Sequence, residues 1–414
     1  MACKVSFFCI LALFAYAFGG FVHPGLLHTQ TDFNRMAQKV AANASPWIDS
    51  YKILEANWEA SATYNPNPQS FVNRGSGCTP SNTMALLYDV AASYQLALRW
   101  KISGNNSYAD AAVRIMNAWS PKLTGIGCQN GSSHDFLLMA GMQGYQWANA
   151  AEIMRNYSGW NTTAFNQFKT MMMNVFYPIT TQYPRGLAEY ANWELAMLAA
   201  NLALGVLTDN QTIFDTAINY IQSGVGGQGP LAQSIYYVHP GNLGQGEEAG
   251  RDQGHNTLDV SHLTVIAQMA WNQGIDLYGY ANNRILAFAE YTAKGNLLVP
   301  GSNSTYYTVP YIPMNVDAWP TEYWENVFAN GSIGAGRPTW GCIYHHYVNV
   351  KGLAAPFTGK MLALQTPEGG GGNYGSNTGG YDQLGYETLT CTLDPISKGS
   401  APSGLTAVLV GGSV

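Results

Sequence analysis

One pattern recurs along the chain and limits what it can fold into. From Ser81 to Trp100 the apolar residues Met84, Leu87, Val90, Ala91, Tyr94, Ala97 and Leu98 fall at helical intervals, with Ser81 or Asn82 placed to cap the run. Similar Ala-rich runs follow at about 107–119, 134–156, 163–177, 190–206, 211–223, 256–273 and 276–293, separated by Gly, Asn and Pro turns. Steps of three and four place such residues on one face of a 3.6-residue helix, and each face must be buried against another element. Short turns make successive helices antiparallel neighbours, so the pattern predicts an all-α chain of stacked antiparallel helix pairs. No comparable series of alternating strands is present. The Tyr- and Pro-rich segment 299–313 is where a strand is expected if any forms, because Thr305 to Val309 has β-forming residues.

The two ends read differently. Lys4, the apolar run Phe7 to Phe18 and the small residues near Ala15-Tyr16-Ala17 have the layout of a cleaved secretory signal, and the run is too short for a membrane span. The expected organisation is a signal peptide over 1–18, a single domain over 19–395 and a flexible tail over 396–414. The expected location is extracellular. Sequons at Asn43, Asn105, Asn130, Asn156, Asn161, Asn210, Asn303 and Asn330 fit a glycosylated surface. Cys78, Cys128, Cys342 and Cys391 remain after signal cleavage and allow two disulfides in one of three pairings.

A net charge of -6 and a pI near 5.7 argue against nucleic acid as a partner. An anionic ligand would need individually placed cations, which makes single arginines informative. No cysteine spacing resembles a zinc site and no loop carries a calcium signature, so no cofactor is expected. A monomer without membrane contact is expected.

With only 11% charged residues, the chain concentrates charge in EEAGRDQGH, Glu247 to His255. Arg251, His255 and His262 are spaced four and seven apart. The two histidines share a face if a helix begins near Gly254, with His255 read as functional and His262 as buried scaffold. Asn192 and Trp193 open another helix, where the amide either caps the helix or reaches a substrate carboxylate. In RPTWGCIYHHY the step from Arg337 to Tyr344 is two helical turns. This predicts guanidinium and phenol on one side, the cation holding a carboxylate and easing formation of phenolate. Arg74, in VNRGSG, adds a cation before the Ser81 helix. Loops Gly224 to Gly254 and Asn296 to Pro320 are long enough to be functional, whereas the Gly-rich run from Gly369 to Gly380 suits a flexible link.

The runs VNRG, ASYQLALRWKISGNNSYADAAVRIMNAWS, GMQGYQWANAAEIMR, NWELAM, GRDQGHNTLDVSHLTVIAQMAWNQGIDLYGY and RPTWGCIYHHY resemble the alginate lyase family of secreted polysaccharide lyases, from about residue 30 to 390. The resemblance implies an (α/α) toroid with a substrate groove across one end, and β-elimination of β-1,4-linked uronate polymers. It implies catalytic roles for Asn192, His255, Arg337 and Tyr344, with Asn and Arg neutralising the uronate carboxylate and Tyr and His exchanging protons. Trp193 stands where described relatives carry a His, which makes His255 an inference. Arg251 rivals Arg337, and Tyr306, Tyr307 and Tyr311 rival Tyr344. Arg74, Trp193, Glu194, Arg251, Tyr307 and His346 are expected to bind substrate. Trp319, Tyr323, Trp324 and the Tyr236-Tyr237 pair are candidate sugar platforms. The competing classes are a glycoside hydrolase using two of Glu194, Glu247, Glu248 and Asp252, and a non-catalytic carbohydrate-binding protein.

Overall fold

The computed structural model describes residues 20–186, 190–314, 326–334, 336–372 and 380–395. The expected signal and tail, and Trp319, Tyr323 and Trp324, lie outside them. The main helices are α1 (Gln30–Ala41), α2 (Trp47–Ala56), α3 (Thr83–Ser103), α4 (Asn106–Trp119), α5 (Phe136–Met154), α6 (Thr162–Met171), α7 (Ala191–Leu207), α8 (Gln211–Ser223), α9 (Gln253–Asn272), α10 (Tyr280–Gly295), α11 (Trp340–His345) and α12 (Pro356–Gln365). The strands are short: β1 (Phe71–Asn73) pairs in parallel with β2 (Gly125–Gly127), and β3 (Tyr237–His239) forms a hairpin with β4 (Leu243–Gln245). Around Thr305–Val309 only an isolated bridge forms, between Tyr306 and Leu298.

Burial divides the helices into two layers. In α5 every residue from Leu137 to Met154 is buried, and in α7 every residue except Trp193. Helices apolar on all sides belong inside. By contrast α4 and α8 bury single stripes, the latter Ile213, Phe214, Ala217, Ile218 and Ile221. Asn105 and Asn210 start them, accepting from the backbone N–H of Ser107 and Ile213 at 3.0 and 3.2 Å.

The inner helices run parallel. Gly141 and Gly144 of α5 face Ala196 and Ala200 of α7, and a Cβ on Gly141 would lie 2.6 Å from the Ala196 carbonyl carbon, so this crossing requires glycine. Further along, Asn149 of α5 meets Met269 of α9 at 3.5 Å. Arg337, just before α11, meets Gly254 in the first turn of α9, and His346 just after α11 packs on Trp271 near the end of α9. At α3, Thr83 bonds the Asn73 carbonyl, and Asn73 in turn bonds Gln129 on the way into α5. The N-termini of α3, α5, α7, α9 and α11 therefore gather at one end, and their dipoles favour negative charge there. This is the paired-helix arrangement of an (α/α) toroid.

Segment 381–391 fills the toroid's centre. Gln143 and Gln146 donate to the Tyr381 carbonyl at 2.9 and 3.0 Å, and the Tyr386 hydroxyl donates to Gln95 at 2.9 Å. The Glu387 carboxylate accepts from the N–H groups of Gly341 and Cys342, satisfying the start of α11. Two disulfides select one of the three pairings. Cys78–Cys128 joins the loops after β1 and β2, and Cys342–Cys391 ties α11 to the central segment.

Candidate active site

The chemistry-bearing side chains collect where the inner helices begin. Asp252 caps α9: its Oδ1 accepts the His255 backbone N–H at 2.9 Å and its Oδ2 contacts His255 Nδ1 at 2.5 Å. A Nδ1–H donated to a carboxylate leaves Nε2 as the basic nitrogen. The His255 side chain is 37% exposed, so a basic nitrogen is presented at the mouth of the toroid. Burial would raise the Asp252 carboxyl, but the bonds from His255 and the charge of Arg251 hold it below its ordinary value.

Arg251 lies in the turn before α9, its guanidinium 3.8 Å from the centre of the Tyr190 ring and its Nη1 3.0 Å from Glu248 Oε2. Asn192 Nδ2 donates to Oε1 of the same carboxylate. Glu247, Glu248 and Asp259 bring carboxylate oxygens within 4.8 Å of one another, all three buried. Burial first, then the neighbouring acids, push Glu247 and Asp259 well above the ordinary carboxylate range. Glu248 is already bonded to Arg251 and Asn192, and Glu247 accepts from the Ala191 N–H at 3.1 Å.

Asp382 connects to the Asp252–His255 dyad through Arg337, which bonds the Gly254 carbonyl beside His255. Burial raises the Asp382 carboxyl, while Arg337, Arg74 and His255 all act to lower it, so these three side chains lie around one acid. Trp193, the one partly exposed residue of α7, packs on Leu138, Met142, Ala196 and Leu258 and lies 6.3 Å from Tyr190. Arg74, Trp193, Arg251 and His255 thus sit at one end of the toroid.

Other expected residues lie elsewhere or are engaged. Arg337 precedes α11 rather than sharing it with Tyr344, so the two-turn argument does not apply. Its buried guanidinium bonds Asp382 at 2.7 Å, Gln383 at 3.2 Å, the Gly254 carbonyl at 3.1 Å and Thr257 at 3.4 Å. It braces the first turn of α9. Tyr344 projects toward Gly359 of α12, its ring 2.7 Å from where a Cβ there would stand. His346 stacks on Tyr278 at 3.7 Å and meets Trp271, sixteen residues beyond His255 and therefore about 24 Å down α9. Burial lowers His346 to about 3, as suits a core imidazole. Tyr307 faces Phe357 and Lys360 of α12.

Glu194 is fully buried and accepts from Arg185 N, Gly229 N and the Tyr220 hydroxyl, a loop anchor rather than a substrate contact. Asn192 is likewise fully buried, so its amide orients Glu248 instead of facing the groove. Of the carboxylates a hydrolase would need, Glu194, Glu247 and Glu248 are buried and Asp252 is bound to His255. Tyr190 and Asp382 were not singled out as members of this site from the sequence, and Glu248 was named there only as a carboxylate that a hydrolase could use. The Asp252-to-His255 step of three at a helix start is a readable capping signal, whereas nothing local marks Asp382.

A helical toroid whose converging N-termini carry an arginine and an Asp-held histidine is the frame of a polysaccharide lyase acting on uronate polymers. The chain belongs to the alginate lyase family, whose profile matches residues 35–300. Its fold is similar to alginate lyase A1-III from Sphingomonas species A1, with 14% identity, a TM-score of 0.57, and coverage of 87% of this chain and 95% of that one. A histidine-to-alanine variant of that enzyme complexed with tetrasaccharide matches at 13% identity and TM-score 0.61, covering 89% and 97%. An alginate lyase from Bacteroides ovatus matches at 12% identity and TM-score 0.58, covering 90% and 100%. A search of curated proteins finds no match.

Proposed function

We propose that this lyase cleaves chains of β-1,4-linked mannuronate or glucuronate by β-elimination, with Arg251 meeting the uronate carboxylate and His255 carrying the proton. The observation that carries the reading is the partly exposed His255, held by Asp252 four residues after Arg251. Elimination breaks C5–H and C4–O4 and forms the C4–C5 double bond. Charge gathers on the carboxylate as the C5 proton leaves, and a fixed cation stabilises that charge without reorganising. His255 Nε2 takes the proton and returns it to the departing O4. Arg337 and Asp382 keep the dyad in place, and Tyr190 supports the guanidinium.

In mannuronate and glucuronate the C5 hydrogen and O4 share a ring face, so one group serves both atoms. In guluronate they lie on opposite faces and a second group is required. The test is ultraviolet absorbance of the 4,5-unsaturated product with polymannuronate, glucuronan and polyguluronate as separate substrates. Rapid turnover of either of the first two is expected. Equal turnover of polyguluronate would overturn the single-histidine scheme, and reducing ends without unsaturation would replace elimination by hydrolysis.

Secretion of a monomer is part of the same proposal. Supporting secretion are the apolar leader-like start, the two disulfides, and sequon asparagines that are exposed except for half-buried Asn210. Secretion with a glycan-dependent mass difference, and light scattering at the monomer mass, are the checks.

A further inference from the structure

An aromatic row leads away from the dyad and ends in solvent. Trp58 is 59% exposed, although an indole is among the side chains with most to gain from burial. Its ring is nonetheless fixed, with centroids 5.5 Å from Tyr64 and 5.3 Å from Tyr88. Tyr88 lies 5.3 Å edge-on to Tyr381, whose hydroxyl donates to Glu59 at 2.8 Å and whose carbonyl is held by Gln143 and Gln146. The next residue is Asp382, paired with Arg337, which bonds the carbonyl of Gly254 beside His255. The row is therefore continuous with the catalytic end. A cation stands at its far end: exposed Arg114 donates to the carbonyls of Ala62 and Tyr64 at 3.0 and 2.8 Å.

We propose that Trp58, seated on Tyr64 and Tyr88 with Arg114 beside it, is a distal subsite that stacks a sugar ring of the uronan chain and attracts its carboxylate. The inference rests on the lyase reading above. The apolar C–H face of a pyranose matches an indole face, and a ring already fixed by two neighbours loses little freedom on binding. The guanidinium selects an anionic chain over a neutral one. Long chains span from the dyad to Trp58, whereas the shortest cleavable oligosaccharides do not.

The experiment compares wild type, Trp58→Ala and Trp58→Phe on a long uronan and on the shortest oligouronate that wild type cleaves. Trp58→Ala is expected to raise KM for the long chain about three- to tenfold, the range that about 0.6–1.4 kcal/mol of stacking implies, with kcat unchanged. KM for the short substrate stays constant, and Trp58→Phe recovers most of the loss. An unchanged KM on the long chain, or equal losses on both substrates, overturns the subsite. Should wild type form no unsaturated product, the lyase reading fails by itself. Affinity electrophoresis in the same uronan then decides the subsite, through retardation of wild type but not of Trp58→Ala.

Discussion

Arg251 and Asn192 meet on one carboxylate: Arg251 Nη1 lies 3.0 Å from Glu248 Oε2, and Asn192 Nδ2 donates to Oε1. The start of α7 and the turn before α9 are joined through a single buried charge. Glu248 thereby fixes where the guanidinium faces the groove, and a charge held by short bonds in a dry site cannot wander.

Glu248→Gln keeps the volume and removes the charge. Misplacement of a positioned group by about 1 Å costs on the order of a hundredfold, so kcat/KM on polymannuronate or glucuronan is expected to fall about 10- to 100-fold. The partner left unpaired also destabilises the fold by about 3 kcal/mol, read from urea unfolding. Glu248→Asp restores part of the activity. Retention of activity within twofold in Glu248→Gln would show that Arg251 needs no such anchor.

His255 is expected to dominate the proton transfer. His255→Asn removes the base and lowers kcat about 100- to 10,000-fold, the usual range for a general base. Asp252→Asn leaves the imidazole in place but weakens its orientation, and is expected to lower kcat by less than His255→Asn does. Stopped assays of product absorbance, with circular dichroism to verify folding, separate the two. A fully active His255→Asn enzyme would return the proton transfer to a tyrosine, with Tyr190 against Arg251 and Tyr306 near Gly334 tested next as Phe variants.

The helices were legible because their apolar spacing is local, and burial on all sides of α5 and α7 follows from the near absence of charged residues there. The two-turn argument for Arg337 and Tyr344 fails for a definable reason. A step of seven means two turns only when both residues are helical, and Arg337 lies before α11. Asn192 at the start of α7 was readable, but that it faces Glu248 depends on a contact fifty-six residues away. The central segment around Asp382 and Tyr386 has no periodicity, because its residues answer to several different helices.

Tyr344 and His346 supply a contrasting test. Tyr344→Phe removes only a hydroxyl from a ring packed toward α12, and is expected to leave kcat within twofold of wild type. His346→Ala empties a site between Tyr278 and Trp271 and is expected to destabilise the fold by about 2–4 kcal/mol, measured by urea unfolding. A hundredfold loss in Tyr344→Phe with intact folding would place that phenol in the reaction after all.

Stability should fall as pH rises through neutrality, and Glu59 is one source. Burial raises its carboxyl from 4.5 to about 7, despite bonds from Tyr381 and Gln95. A folded-state pKa above the unfolded value means the folded chain binds the extra proton. The associated stability is therefore fully present below about pH 4.5 and is lost as pH rises through about 7. The shift corresponds to roughly 3 kcal/mol at most, since one pKa unit is worth about 1.4 kcal/mol. Glu59→Gln keeps a neutral side chain at every pH, so its unfolding free energy should change less between pH 5 and pH 8 than that of wild type. Urea titrations at the two pH values measure the difference. Parallel pH dependence in the two proteins would mean that Glu59 is ionised in the fold, with the Tyr381 hydroxyl and Gln95 amide carrying its charge.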